Sequence, residues 1–171
     1  NCTDVVHLGP YFIDRTSPGA PPTLTSSSHT PGTPSGDPTI DIQWDASSDP
    51  LANGVASGID GYGYFFDGSA DPACDQVKDV EETQLSTTSA TFEDGTWYFH
   101  LCTRDNAGNW SAVASAGPYI IEAAPPRAIS IETVADTADG VLVPGETLVT
   151  PITQIVVTFN EPVADPVGNS D

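Results

Sequence analysis

The sequence predicts an all-β protein folded as an antiparallel β-sandwich, and three observations support this. Short runs of β-branched, aromatic and apolar residues alternate with polar residues, as in half-buried strands. Clusters of Gly, Pro, Asn and Asp separate these runs at the spacing of about eight to twelve residues that is typical of sandwiches. No segment has a sustained apolar period of 3.6 residues, so we expect no long helix.

The clearest strand covers residues 96–103 and runs directly into the polar turn 105–109. The turn is composed of Asp, Asn and Gly, which tolerate the backbone conformations that close a hairpin. The side-chain period of two places four residues on the face that we expect in the core: Trp97, Phe99, Leu101 and Thr103.

Other segments of the sequence also have strand patterns. They are a short strand at Leu24, then residues 39–45, 60–67, 87–92 and 112–122. The expected core positions of the second and third are Ile40, Ile42, Trp44, Tyr62, Tyr64 and Phe66. Most of 17–37 and the acidic stretch 69–86 are predicted loops. A second pattern, with strands at 129–134 and 152–160, comes after the Pro-containing segment 123–126.

The sequence contains an internal repeat. Residues 1–18 match residues 109–126 without a gap at seven of eighteen positions, an offset of 108 residues. The offset is about the length of one domain, so we expect the chain to start part-way through a repeating unit. Residues 1–15 are therefore predicted to be the last strand of a preceding repeat module, and the chain to be part of a longer protein.

The charge of the chain is strongly negative, with 24 acidic residues and a net charge of −20. Such a chain repels phosphates, so nucleic acid and anionic membrane surfaces are excluded as partners. Three interpretations of the charge stay open: solubility of an exposed module, adaptation to salty surroundings, and carboxylate-rich Ca²⁺ sites. No apolar stretch is long enough to predict insertion of this segment into a membrane.

The cysteines are Cys2, Cys74 and Cys102, and no pair has zinc-site or redox-motif spacing. We expect a disulfide between Cys74 and Cys102, formed in an oxidising compartment. It would tie the irregular segment after residue 67 to the central strand. The alternative is that both are free thiols. The state and partner of Cys2 are left open.

Residues 16–122 resemble a bacterial fibronectin type III-like or Ig-like surface-protein repeat. The resemblance lies in residues 42–44, 57–62, 94–99 and 105–111, in this order along the chain. Cys102 and the long acidic loop 68–86 depart from the pattern. Residues 127–171 resemble the start of a bacterial Ig-like domain through residues 155–163. These resemblances imply a sandwich over 16–123 and an incomplete second module over 124–171.

The resemblances also imply a segment of a large secreted or cell-surface protein, acting as a structural or adhesive spacer or stalk. Its expected partners are neighbouring modules or identical chains, including head-to-tail pairing of strands. The alternatives are a glycan- or protein-binding module, with or without Ca²⁺, and an accessory domain of a secreted hydrolase. We expect no enzymatic activity. The nucleophile-elbow, metalloprotease and phosphate-loop motifs are absent, and His7, His29 and His100 lie in unrelated sequence settings.

Calcium is the metal that the residue types favour. The candidate ligands, all oxygen-bearing side chains, are Asp105, Asn106, Asn109 and Asp60, with Asp45 and Asp49 nearby in the predicted loops and a further acidic stretch at 165–171. The alternative for 105–109 is conformational, since a tight hairpin selects the same residues.

Two further kinds of site are suggested by the pattern. Tyr62 and Tyr64, with Tyr98 and Trp110, could stack on a sugar if they shared an exposed face, and otherwise belong to the core. Asn1 and Asn109 begin Asn-x-Thr and Asn-x-Ser sequons and are candidate glycosylation sites.

Overall fold

The computed structural model describes residues 8–133, 144–145 and 154–163. The chain divides into two compact units, Asn1–Ala123 and Ala124–Asp171. The described residues form strands, turns and loops, with no helix among them, so the all-β prediction is confirmed. No helix in the described ranges is long and apolar enough to cross a membrane.

The first unit consists of two sheets. Its strands are β1 (Leu24–Ser26), β2 (Pro34–Ser35), β3 (Asp41–Trp44), β4 (Ile59–Asp67), β5 (Val80–Glu81), β6 (Ser86–Thr88), β7 (Gly95–Asp105) and β8 (Ala114–Ile121). One sheet has the order β1-β3-β6 and the other β2-β8-β7-β4-β5. The pairs are antiparallel, apart from the parallel contact of β2 with β8.

The core lies between the two sheets. Its buried members are Ile40, Ile42, Trp44, Tyr62, Phe99, Leu101, Tyr119 and Ile121. The ring of Trp44 contacts both Tyr62 and Phe99, at centroid distances of 5.6 and 6.0 Å. Aromatic pairs at such distances add stabilisation to the burial of their apolar area. The alternating pattern at positions 40, 42 and 44 therefore identified the core face of β3 correctly.

The opposite face of β7 is buried as well. His100 and Cys102 point away from the Trp44 core, yet their exposed fractions are 0% and 1%. Phe65, whose ring lies 4.9 Å from that of His100, covers the histidine, and the segment that carries Cys74 and continues into β5 covers Cys102. A Cβ added to Gly61 would collide with the carbonyl oxygen of Val80, and one added to Gly63 with that of Val77. The missing side chains at these two glycines therefore leave the space that this segment occupies.

Cys74 and Cys102 form the disulfide that we expected from the sequence, with a Cα–Cα distance of 6.2 Å. The bond attaches the irregular acidic segment to the middle of β7. It closes a loop across 28 positions of the sequence. Its main physical effect is to restrict the unfolded chain.

The differences from the predicted strands concern short elements. β6 ends at Thr88, whereas the sequence predicted a strand over 87–92. β2 and β5 lie in segments that we predicted to be loops, and each has only two residues. A strand of two residues is too short to show an alternation of apolar and polar residues in the sequence. Its position depends instead on the strand beside it.

The second unit contains β9 (Ala128–Thr133) and β10 (Ile155–Phe159), which pair antiparallel. Its described apolar side chains are largely exposed, and they include Ile129, Ile131, Ile155, Val156 and Val157. The candidate calcium stretch 165–171 lies outside the described residues. The prediction of an incomplete second sandwich stays a prediction.

We expect Gly63→Ala to destabilise the first unit by about 2–3 kcal/mol, because the added methyl group displaces the main chain at Val77. Urea unfolding measures the change, and limited proteolysis within 69–79 reports detachment of the segment. The matched control is Gly68→Ala, where the nearest atom to an added Cβ is 3.8 Å away. Equal stabilities of the two variants would contradict the packing argument.

We expect the Cys74→Ser, Cys102→Ser double variant to lose about 3.5 kcal/mol of unfolding free energy, the chain-entropy value for a loop of this length. Guanidinium unfolding of the oxidised and variant proteins measures the difference. Treating the Cys2→Ser protein with reductant supplies the control, since it opens the same bond without a substitution. An unchanged midpoint in both cases would show that the bond does not constrain the unfolded chain.

Candidate functional site

Three carboxylates converge at the end of the first unit where the chain enters it. Asp14 comes from the segment before β1, Asp49 from the loop after β3, and Asp105 from the end of β7. One oxygen from each carboxylate lies within 4.8 Å of the others. We refer to these residues as the junction cluster. Asp105 and Asp49 were candidate ligands from the sequence, whereas Asp14 was not.

The hairpin that comes after Asp105 holds its carboxylate through three hydrogen bonds. Asp105 is fully buried, and its Oδ1 accepts hydrogen bonds from the amides of Ala107 and Asn109 at 2.9 and 2.8 Å. Its Oδ2 accepts a third bond, from Asn109 Nδ2 at 2.8 Å. The conformational interpretation of residues 105–109 is therefore supported, because this carboxylate organises the turn.

Asp14 and Asp49 both bind the residues immediately before β4. Asp14 Oδ2 accepts from the Ser57 amide at 2.8 Å, and Asp49 Oδ2 accepts from the Gly58 amide at 2.7 Å. The amide of Thr16, followed by Ser57, lowers the pKa of Asp14 below its ordinary value. Since folding lowers this pKa, the stabilisation is present above the ordinary pKa and is lost as pH falls through the lowered value.

The charges of the junction cluster are not neutralised by the side chains around it. Among the described residues, none of its three carboxylates forms an ion pair with Lys or Arg. Asp49 Oδ1 is buried and has no hydrogen-bond partner within the described part of the chain. A buried carboxylate oxygen without a donor is costly, and a hard cation such as Ca²⁺ binds oxygens of this kind. The calcium hypothesis therefore stays a prediction, with Asp14, Asp49 and Asp105 as its ligands.

The other calcium candidates already have different partners. The carboxylate of Asp60 is bound by Lys78 at 2.9 Å and Arg104 at 2.8 Å, and these cations lower its pKa, Lys78 first. Asn106 donates its amide to the carbonyls of Ser57 and Ile59. Asp45 is exposed and not part of the junction cluster.

Asn109 connects the hairpin to the incoming segment. Besides Asp105, its Nδ2 donates to the carbonyl oxygens of Asp14 and Thr16 at 3.4 and 3.3 Å. This nitrogen is the atom to which an N-linked glycan is attached, so glycosylation would replace these contacts. The use of the Asn109 sequon stays a prediction, and Asn1 lies outside the described residues.

The structure corrects the suggestion that Tyr62 and Tyr64 face a ligand. Tyr62 is 1% exposed, and its hydroxyl accepts a hydrogen bond from the Ser47 amide. Tyr64 is half-buried against the core, and its hydroxyl accepts from Thr87. Both rings pack between the sheets because they lie on the same face of β4.

Sequence reasoning missed a chain of polar contacts across the outer face of the larger sheet. His100 Nδ1 lies 2.8 Å from Ser115 Oγ, and His100 Nε2 lies 3.1 Å from Asp67 Oδ1. The residue types resemble a hydrolase triad, but the imidazole is fully buried, with the ring of Phe65 at 4.9 Å. A base without access to substrate cannot transfer its proton, so we interpret these contacts as structural.

Comparisons with known proteins give no relative for this chain. No family model, no curated protein and no solved structure matches it. The fibronectin type III-like and Ig-like resemblances therefore rest on the short motifs in the sequence.

If the junction cluster binds calcium, millimolar Ca²⁺ will raise the unfolding midpoint of the first unit relative to EDTA. At a concentration 100 times the dissociation constant, the expected stabilisation is about 2.7 kcal/mol. Differential scanning calorimetry of the whole chain measures it. Asp49→Asn should abolish the difference, whereas Asp71→Asn, the same change at an exposed position, should preserve it. Identical midpoints in Ca²⁺ and EDTA would refute the site.

Proposed function

We propose that the chain is a structural repeat segment of a large secreted or cell-surface protein, and that its fibronectin type III-like sandwich acts as a spacer or stalk. The observation that carries this proposal is the path of the polypeptide. The chain enters the first unit at one end of β7 and leaves at the other. An element with this path holds its N-terminal and C-terminal neighbours apart.

The path results from the register of the strands. The incoming residue Asp14 meets Asp105, the last residue of β7, while Ile121 at the end of β8 pairs with Gly95, the first residue of β7. β7 has eleven residues, and at about 3.3 Å per residue its ends are about 30 Å apart. The unit therefore extends the polypeptide by about the length of its longest strand.

Both ends of this path are fixed by hydrogen bonds. At the incoming end, Asp14 and Asn109 connect the segment to two loops, and the Gly19 amide donates to the Ser48 carbonyl at 2.9 Å. At the outgoing end, the Ala123 amide donates to Asp94 Oδ1 at 2.7 Å. Fixed ends support a spacer role, because a spacer with loose ends would not hold its neighbours at a set distance.

The remaining properties agree with an exposed position in a secreted protein. A net charge of −20 favours solubility and disfavours association between like chains. The disulfide is of the kind that persists in oxidising compartments. The glycan-binding alternative has less support, since Tyr62 and Tyr64 belong to the core. The hydrolase-accessory alternative gains no support from the described geometry.

Calcium-assisted rigidity is a second candidate, favoured by the unpartnered Oδ1 of Asp49. A cation bound there would contact the incoming segment through Asp14 and the sandwich through Asp49 and Asp105. It would then stiffen the junction where the spacer proposal requires rigidity. The spacer proposal does not depend on the ion, since hydrogen bonds already make the connection.

The spacer proposal predicts one well-defined distance across the first unit. We expect spin labels at Arg15→Cys and Glu122→Cys, in a Cys2→Ser background, to give a narrow distribution near about 30–40 Å. Pulsed electron paramagnetic resonance measures it. Asp14→Ala should broaden the distribution, because the segment loses its bonds to Ser57 and Thr16.

The matched control is Asp37→Ala. Asp37 also binds a nearby amide, that of Thr39 at 2.9 Å, but is not part of the junction cluster. It should leave the distance distribution unchanged. A broad distribution in the unsubstituted chain would contradict the spacer role.

A further inference from the structure

We infer that residues 8–13 are an interaction segment whose partner is a second β-sandwich of the same type that lacks its own last strand. The inference rests on the proposed function in one respect, because both treat residues 8–16 as the connection between successive sandwiches. The partner would cover residues 8–13 in the register that β8 has with β7.

The segment is apolar and unpartnered within the described chain. Tyr11 and Ile13 are 75% and 68% exposed, and Leu8 and Phe12 are exposed to a similar extent. An exposed cluster of large apolar side chains marks a surface that another surface covers. No strand pairs with residues 8–13 in the described structure.

The internal repeat identifies the surface that covers it. At the offset of 108 residues, Tyr11 corresponds to Tyr119 and Ile13 to Ile121, with the same residue types in both pairs. Tyr119 and Ile121 are each 1% exposed, because β8 places them in the core of the sandwich. The same side chains are thus core residues in one copy of the repeat and solvent-exposed in the other.

The backbone agrees with the side chains at the position where the two copies can be compared directly. Gly9 and Gly117 have φ angles of +126° and +132°. Residues other than glycine rarely adopt this backbone conformation. Each glycine precedes a Pro-Tyr pair. The two segments therefore share this backbone conformation, although residues 8–13 pair with no strand in the described structure.

The register of β8 predicts the contacts of the partner. β8 pairs with β7 through Gly95↔Ile121 and Trp97↔Tyr119. A partner sandwich would accordingly place its counterparts of Gly95 and Trp97 opposite Ile13 and Tyr11. Residues 8–13 would supply the backbone partners that the exposed edge of its β7 requires.

The one large difference between the copies can be accommodated. Leu8 corresponds to Ala116, which lines an open groove of about 470 Å³ together with Leu24 and Tyr119. A leucine at this position would extend into space that the alanine leaves free. The substitution therefore adds apolar contact without requiring the sheets to move.

The test adds a copy of residues 14–108 directly before Asn1, so that residues 1–15 come after the added copy at the position of the last strand that this copy lacks. We expect the added copy to fold, and amide hydrogen exchange of residues 8–13 to slow by at least tenfold relative to the unextended chain. Tyr11→Ser with Ile13→Ser should abolish this protection in the extended chain. The same two substitutions should leave the unfolding midpoint of the unextended chain unchanged.

The control extension adds residues 14–123, a copy that contains its own last strand. Residues 8–13 should then exchange as fast as in the unextended chain. Equal exchange in the two extensions, or an unfolded 14–108 copy beside a folded 14–123 copy, would overturn the inference. A dimer of the unextended chain that is lost on Tyr11→Ser would also overturn it, since the partner would then be a complete second copy. The label distance across residues 15–122 tests the spacer role separately, so the two proposals can fail independently.

Discussion

The first unit depends on β7 being covered on both faces. One face packs against Trp44 and the smaller sheet, as in any two-layer sandwich. Among the described residues no second sheet covers the other face, and the segment ending at β5 takes its place. This cover requires two glycines on β4 and a covalent attachment at Cys102, because an acidic, irregular segment has little apolar area of its own to hold it there. The glycines and the disulfide thus act together to hold the long loop against the sheet.

Acidic residues also have a structural role at the junction cluster. Asp14, Asp49 and Asp105 accept hydrogen bonds from main-chain amides in loops and turns. Carboxylates make stronger hydrogen bonds to amides than neutral acceptors do, and they also add mutual repulsion when they lie close together. The junction therefore combines well-satisfied amides with unneutralised negative charge. This combination is the reason why we predict that the junction responds to Ca²⁺.

Local patterns in the sequence were sufficient for the main strands, and long-range contacts explain what they missed. The alternation at Ile40, Ile42 and Trp44 predicted a core face because each strand residue alternates sides whatever its neighbours are. The burial of His100 could not be predicted in this way, since it depends on Phe65, Asp67 and Ser115, which contact its ring from the neighbouring strands. Asp105 was recognisable from its turn. Asp14 was not, because it reaches the cluster only when the chain folds back on the sandwich.

The junction and the exposed segment form one continuous element. Residues 8–13 match β8 at four positions of the repeat and share the positive φ of its glycine, and Asp14 is the next residue of the chain. If residues 8–13 are the last strand of a preceding module, as we infer, then Asp14, the residue after that strand, also binds the next sandwich through the Ser57 amide. Rotation between successive modules would then have to break hydrogen bonds at Ser57 or Asn109, rather than only turn about free dihedral angles. Rigidity of such an array would come from shared residues at each boundary, and not from large interfaces between modules.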